Sequence, residues 1–317
     1  MNFSPDVRVF VAGHRGLVGS SIWRELHQRG FRHLITRSRA ELNLLDGDAV
    51  RQFYETERPE HVLIAAAKVG GILANQTQPA QFLYENLQIQ NHLIHGAYLA
   101  GVKKLLFLGS SCIYPCECPQ PIKEEYLLHG PFEPTNEGYA IAKVAGYKLC
   151  QYFAEQYDFN AISIMPCNLY GTNDHYDLNN SHVLAAFIRK FADAADEGGA
   201  EVDAWGTGIA RREFLHVDDL ADAIYFLMQN WDSPEFVNVG AGTDITIREL
   251  AEKIAAAAGF KGRIVWDSSK PDGMLKKCMD ISKLKKIGFT PKISLDEGIA
   301  RTLQEYRELK KSGDVRM

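Results

Sequence analysis

A chain of 317 residues with 46% apolar side chains is long enough to bury a sizeable core, which excludes a disordered or fibrous protein. Its formal net charge of -5 is spread in both signs along the chain, so no basic stretch stands ready for a nucleic acid. The first apolar run, Val7 to Ala12, ends at Gly13-His14-Arg15, too brief for a signal segment or a membrane span, so a cytoplasmic protein with neither nucleic acid nor membrane as partner is expected.

Short runs rich in Val, Ile and Leu alternate with helix-length amphipathic stretches, the pattern of parallel strands covered on both faces by crossover helices. In chain order the predicted strands are Val7 to Ala12, His33 to Thr36, His61 to Ala65, Lys104 to Gly109 and Asn160 to Met165. After Gly171 come a loop rich in Asn and Asp, a helix from about Ser181, and shorter strands around Val202 and Phe236. The expectation is α/β: a Rossmann-type doubly wound parallel sheet with a smaller mixed α/β C-terminal substrate lobe. Residues 1–170 form the dinucleotide-binding domain and 171–317 the lobe, with an interleaved boundary. The stretch Phe214 to Met228 reads as a strand and helix returning to the main sheet, which assigns about 212–230 to the first domain.

Six cysteines in so long a chain point to reduced thiols rather than a disulfide framework. Cys112, Cys116 and Cys118 are spaced C-x3-C-x-C, unlike the paired C-x2-C elements of structural zinc, so no metal is expected.

The first strand leads into Gly13-His14-Arg15-Gly16-Leu17-Val18-Gly19 and then an amphipathic helix. In a dinucleotide loop the first glycine permits a tight turn, the second lets a pyrophosphate approach the backbone, and the third lets helix pack on strand. Unpaired N–H groups and the helix dipole favour phosphate at that helix start. Near the end of the second strand, where an NAD site usually carries a carboxylate, stands Arg37-Ser38-Arg39. Those guanidinium groups, with Arg15, suit the 2′-phosphate of NADPH; the plainer alternative is solvated surface arginines.

Tyr139 and Lys143 lie one helical turn apart and share a helix face. An ammonium beside a phenol is expected to lower its pKa and let Tyr139 exchange a proton with a carbonyl or alcohol near neutral pH. Ser110 and Ser111 follow the apolar strand Leu105 to Leu108, where an open α/β sheet presents its crevice. Glycine loop, serine and Tyr/Lys pair together match the extended short-chain dehydrogenase/reductase pattern.

Several separated segments narrow this further. Gly13-His14-Arg15-Gly16, Ala65-Ala66-Ala67-Lys68-Val69-Gly70-Gly71, Leu108-Gly109-Ser110-Ser111-Cys112-Ile113-Tyr114-Pro115, Pro134-Thr135-Asn136-Glu137, Asn180-Ser181-His182-Val183, Arg212 to Asp219 and Ser269-Lys270-Pro271-Asp272-Gly273 resemble the GDP-L-fucose synthase family along nearly the whole chain. That resemblance implies conversion of GDP-4-keto-6-deoxy-D-mannose to GDP-L-fucose by epimerisation at C3 and C5 and NADPH-dependent reduction at C4. It implies Cys112 and His182 as the acid/base pair, with His182 assigned as proton donor and Cys112 as base, the direction remaining open. Ser110 and Tyr139 would bind the C4 oxygen. Further implied cofactor contacts are Arg39, Asn43, Leu44, Leu108, Gly109, Ser111, Lys143, Pro166, Cys167, Asn168, Leu169 and His182. Substrate contacts are Asn168, Lys190, Trp205, Arg212 and Lys277, although Lys276-Lys277 alone reads equally as a solvated patch. Two features depart from the family: glycine rather than another residue before Tyr139, and the extra thiols Cys116 and Cys118.

A 4-epimerase or 4,6-dehydratase would share the fold, but a dehydratase needs an Asp-Glu pair where Ser110-Ser111-Cys112 stands, and Glu124 and Glu125 fall downstream. A non-catalytic dinucleotide sensor would not need the retained proton-transfer set. A homodimer pairing through the helices near Pro79 to Ala100 and Tyr139 to Tyr157 is also expected.

Overall fold

A computed structural model describes residues 3–178, 181–270 and 272–317. The chain runs β1 (Arg8–Ala12), α1 (Leu17–Gln28), β2 (His33–Ile35), α2 (Gly47–Glu57), β3 (His61–Ile64), α3 (Ile72–Thr77), α4 (Pro79–Leu99), β4 (Lys104–Leu108), α5 (Glu137–Tyr157) and β5 (Ala161–Pro166). It continues through β6 (Asn168–Tyr170), α6 (Val183–Glu197), β7 (Glu201–Trp205), β8 (Arg211–Arg212), β9 (Phe214–His216), α7 (Val217–Asn230), β10 (Val237–Val239) and β11 (Ile245–Thr246). Last come α8 (Ile247–Ala258), β12 (Arg263–Asp267), β13 (Lys276–Lys277), α9 (Ser282–Ile287) and α10 (Leu295–Ser312).

Every residue of β3, β4 and β5 is buried, because helices cover both faces and no side chain can turn to water. These strands join β1, β2 and β10 in one six-stranded sheet ordered β10-β5-β4-β3-β1-β2, and all its pairings are parallel. From β1 the chain steps outward to β2 and then back across to β3, so the order reverses beside β1. The crevice beyond the carboxyl ends of the strands at that reversal is where open α/β sheets hold ligands. Helices α4 and α5 pack along each other on one face, and α1 packs on α7 on the other.

The strand that rejoins the sheet differs from the one expected. Phe214–His216 pairs with β6 in a separate two-stranded ribbon, and it is β10 that lies beside β5. The helix in that stretch does pack on the sheet: Leu220, Ala223, Ile224 and Leu227 of α7 belong to the main core. Lys104 ties this helix down. Its buried ammonium donates to the carbonyls of Met228 at 2.9 Å and Trp231 at 2.6 Å and to Asp232 at 2.8 Å, placing a cation at the negative end of the helix.

A second core lies over the C-terminal part, where Phe187, Ile188 and Phe191 of α6 meet Leu250 and Ile254 of α8 and Leu303 and Tyr306 of α10. Short ribbons surround it: β12 beside β7, and β8 between β11 and β13. Among the described residues no helix is long and apolar enough to cross a membrane.

Candidate active site

The glycine loop is shaped by close approaches that only glycine permits. Gly13 has φ +85°, and a Cβ there would lie 2.7 Å from the Ala66 nitrogen just beyond β3. A Cβ on Gly19 would fall 2.1 Å from the Gly13 carbonyl oxygen, so the first turn of α1 can close on the loop only without a side chain. Gly16 is the N-cap of α1 and no side chain caps this helix start. Its N–H groups therefore remain for a phosphate, which fits a dinucleotide pyrophosphate at this place. His14 lies beside it with Nδ1 buried and unpartnered, and burial holds its imidazole below the ordinary value, as does the neighbouring Arg15 charge.

The two arginines after β2 divide their work. Arg37 is drawn to Glu57 in an ion pair and donates to the Thr36 carbonyl at 2.7 Å, so it anchors α2. Arg39 and Arg15 are exposed and free to meet a 2′-phosphate. Nearby, Asn43 is exposed with its Oδ1 accepting from the Leu45 N–H at 3.2 Å, while the Leu44 carbonyl meets Nδ1 of His92 at 3.0 Å.

Beyond Leu108 the chain turns at Gly109 into a short 3-10 turn, Ser111–Ile113, capped by Ser110, whose hydroxyl accepts from the Cys112 N–H at 3.2 Å. The Ser110 hydroxyl lies near the Tyr139 phenol and acts to lower its pKa. One turn along α5, buried Lys143 donates to the Leu108 carbonyl at 2.8 Å. Its ammonium is 5.7 Å from the Tyr139 ring centroid. Here the titration departs from expectation. Burial pushes the Tyr139 phenol well above its ordinary value, with negative charge on Cys112 acting the same way and Ser110 pulling back; Lys143 is not what governs it. Lys143 is itself pushed down to about 8 by burial. A phenol held protonated beside a serine hydroxyl is equipped to give a proton to an alkoxide.

Cys112 lies next to this pair, and the side chains around it come from three separate segments. The amide of Asn136 donates to its sulfur at 3.4 Å and the Lys277 ammonium approaches at 3.8 Å. Lys277 also reaches His182 electrostatically. The imidazole is held below its ordinary value first by burial and then by the charges of His175 and Lys277. His182 keeps solvent-accessible surface even though protein surrounds it, as a group lining a deep cleft does. It is the N-cap of α6, and its side chain makes no capping bond. Its motif neighbour Asn180 lies outside the described residues, as does Pro271.

The remaining predicted contacts are placed as follows. Pro166 ends β5 and Cys167 follows it, donating its N–H to the Val239 carbonyl at 3.1 Å; Asn168 and Leu169 begin β6, where Asn168 donates to the Glu213 carbonyl at 2.8 Å. Lys190 donates to the Asp203 carbonyl at 2.8 Å. Trp205 is 52% exposed at the end of β7, its ring under the Lys270 ammonium at 5.4 Å, an open flat face for a base or sugar. Arg212 is more engaged than a bare clamp, bonding the carbonyls of Asp272 and Met274, so it also shapes the loop beside β13.

Three scaffold residues escape the sequence reading. Asn136 sits in a quoted motif without a role of its own. Glu213 is buried, accepts the N–H groups of Gly242 at 2.6 Å and Met279 at 2.9 Å, and is pushed up to about 7 by burial. Asn238 of β10 accepts from the Tyr114 hydroxyl at 2.5 Å and takes the Glu124 carboxylate on its own N–H at 3.1 Å. Glu124 is thus spent on structure, which removes it as a dehydratase acid. All six thiols are free. Among the described residues no three His, Cys, Asp or Glu side chains gather as a metal site. A cavity of about 820 Å³ between α8 and the start of α10 is lined by Asp244, Glu252, Lys253 and Lys292 among others and holds none of the reactive residues.

A parallel nucleotide-binding sheet whose carboxyl edge presents serine, tyrosine and lysine to one crevice defines a dinucleotide-dependent enzyme of the short-chain reductase kind. The family model described as NAD dependent epimerase/dehydratase matches residues 9–240. GDP-L-fucose synthase 1 of Arabidopsis thaliana is 55% identical over 301 residues, covering 95% of this chain and 93% of the relative. GDP-L-fucose synthase of Escherichia coli strain K12 is 50% identical over 310 residues, covering 95% and 97%. A crystal structure of a GDP-L-fucose synthetase from Naegleria fowleri bound to NADP aligns at TM-score 0.90 with 26% identity, covering 99% of this chain and 98% of that one. The chain belongs to the NAD dependent epimerase/dehydratase family and, within it, to the GDP-L-fucose synthases.

Proposed function

We propose that this protein converts GDP-4-keto-6-deoxy-D-mannose to GDP-L-fucose, inverting C3 and C5 and then reducing C4. The observation that carries the reading is the meeting of two chemistries in one crevice: Ser110 beside the Tyr139 phenol, and Cys112 next to them with Lys277 reaching both its sulfur and His182. A 4-keto group acidifies the protons at C3 and C5. Cys112 and His182 then serve as the two groups that remove a proton and return one to the opposite face. Ser110 and Tyr139 hold the C4 oxygen while it carries enolate charge. The protonated Tyr139 phenol gives its proton to that oxygen in the reduction. NADPH, held at the α1 N-terminus by the Gly13 to Gly19 loop and at its 2′-phosphate by Arg15 and Arg39, supplies the hydride. Lys143 ties the reactive helix to the end of β4, and Trp205, Arg212, Lys190 and Asn168 receive the nucleotide and sugar.

A homodimer goes with this reading. Ile141 and Tyr152 on α5 and Tyr84 and Leu99 on α4 are exposed, an apolar face on the two helices that pack together. Substrate and reductant are both soluble nucleotides, which suits the cytoplasm.

The test is NADPH absorbance. With GDP-4-keto-6-deoxy-D-mannose, oxidation should proceed to one equivalent per substrate, and with NADH far more slowly. Absence of substrate-dependent oxidation would favour a dinucleotide sensor.

A further inference from the structure

The surroundings of one sulfur atom go beyond a simple acid/base pair. Cys112 cannot wander: its N–H is pinned to the Ser110 hydroxyl, and it sits within a 3-10 turn. Asn136 ends a second 3-10 turn, Pro134–Asn136, immediately before α5. Its Nδ2 faces the sulfur at 3.4 Å while its Oδ1 is buried without a partner, so the sulfur is the amide's side-chain contact among the described residues. Lys277 arrives from β13, held in register opposite Arg212 of β8, and brings its ammonium to 3.8 Å. Tyr139 and Lys143, both from α5, also sense Cys112. Two donors, Asn136 and Lys277, therefore approach this sulfur, an arrangement suited to holding it through its lone pairs.

We propose that Asn136 and Lys277 form a cradle that holds the Cys112 sulfur and aims it at the acidified carbon, which makes both of them positioning residues. The inference rests on the epimerisation reading. Cys112 takes the proton from C3 or C5 as the C–H electron pair moves into the enolate, and a protonated His182 returns a proton to the other face; the resulting thiol and neutral imidazole exchange protons with water before the second carbon is inverted. Lys277 stays protonated throughout. The positive charge it presents to His182 also favours that ring passing a proton on rather than keeping it.

The experiment separates the cradle from the reaction. Cys112 is alkylated with iodoacetamide at neutral pH and followed by peptide mass spectrometry in the wild type, Lys277→Met, Lys277→Arg and Asn136→Asp, each first checked by thermal melting. The cradle predicts alkylation roughly tenfold slower in Lys277→Met, equivalent to about 1.4 kcal/mol, near-recovery in Lys277→Arg, and slowing again in Asn136→Asp, which replaces a donor by a carboxylate of equal size. Deuterium wash-in from solvent at C3 and C5 of the ketosugar should fall in the same proportion, with NADPH affinity unchanged. Alkylation at the wild-type rate or faster in both Lys277→Met and Asn136→Asp would overturn the cradle, even if wash-in fell, because Lys277 would then be a phosphate contact. No wash-in by the wild type, with alkylation slowed as described, would instead sink the epimerisation while leaving the cradle supported.

Discussion

Lys143 offers the sharpest quantitative prediction, because its chemistry and its burial pull in opposite directions. Only 4% of the residue is exposed, and burial lowers its proton affinity from 10.5 to about 8. Keeping the ammonium charged inside the fold at pH 7 therefore costs about 3 kcal/mol relative to the unfolded chain. Lys143→Met removes that charge at nearly constant volume and forfeits the bond to the Leu108 carbonyl, worth about 1 kcal/mol. The net gain of about 2 kcal/mol should raise Tm by roughly 3 °C while NADPH oxidation drops on the order of a hundredfold. The pH dependence fixes the sign. Between about 8 and 10.5 the unfolded lysine still holds its proton and the folded one does not, so the wild type gains stability as pH rises through that window. Below pH 8 the penalty is fully present, and Lys143→Met should lack the rise altogether. The assay is thermal melting of both proteins from pH 7 to 10.5 beside NADPH turnover. A variant that melts below the wild type at pH 7 would refute the reasoning.

Three other outcomes follow from the same geometry. Tyr139→Phe keeps the ring, which packs edge-on against Phe82 at 6.4 Å, so the fold and NADPH binding should persist while kcat falls on the order of 10² to 10⁴; matched losses in binding and turnover would make the residue structural. Gly19→Ala drives a methyl to 2.1 Å from the Gly13 carbonyl and should cost about 1–3 kcal/mol of stability together with most of the NADPH affinity, read by melting and by fluorescence titration; wild-type affinity would contradict the account of the loop. Arg39→Ser should lower the preference for NADPH over NADH roughly tenfold in kcat/KM, and an unchanged ratio would return Arg39 to plain solvated surface.

What the sequence disclosed was what chain-local patterns encode. The five N-terminal strands, the glycine loop and the Tyr139/Lys143 pair all announce themselves through periodicity or spacing, and the strands fall within a residue or two of their predicted ends. Long-range partners stayed hidden. Nothing local distinguishes Arg37, spent on Glu57 twenty residues later, from Arg39, which stays free. The return to the main sheet belongs to Val237–Val239, a strand no longer than Phe214–His216 and interrupted by Asn238, so nothing local ranks it above that run. The expected depression of the Tyr139 phenol followed from Lys143 alone; burial, which spacing cannot report, overrides it. Glu213 and Asn238 look like ordinary polar residues until the backbones they hold together are seen.

The central claim is that one crevice both inverts two carbons and reduces a third. It is tested most directly by running the reaction in deuterium oxide with unlabelled NADPH and examining the product by NMR and mass spectrometry. The account predicts GDP-L-fucose carrying solvent deuterium at C3 and C5 and protium at C4. A C4-reduced sugar that has kept its original C3 and C5 hydrogens would contradict it.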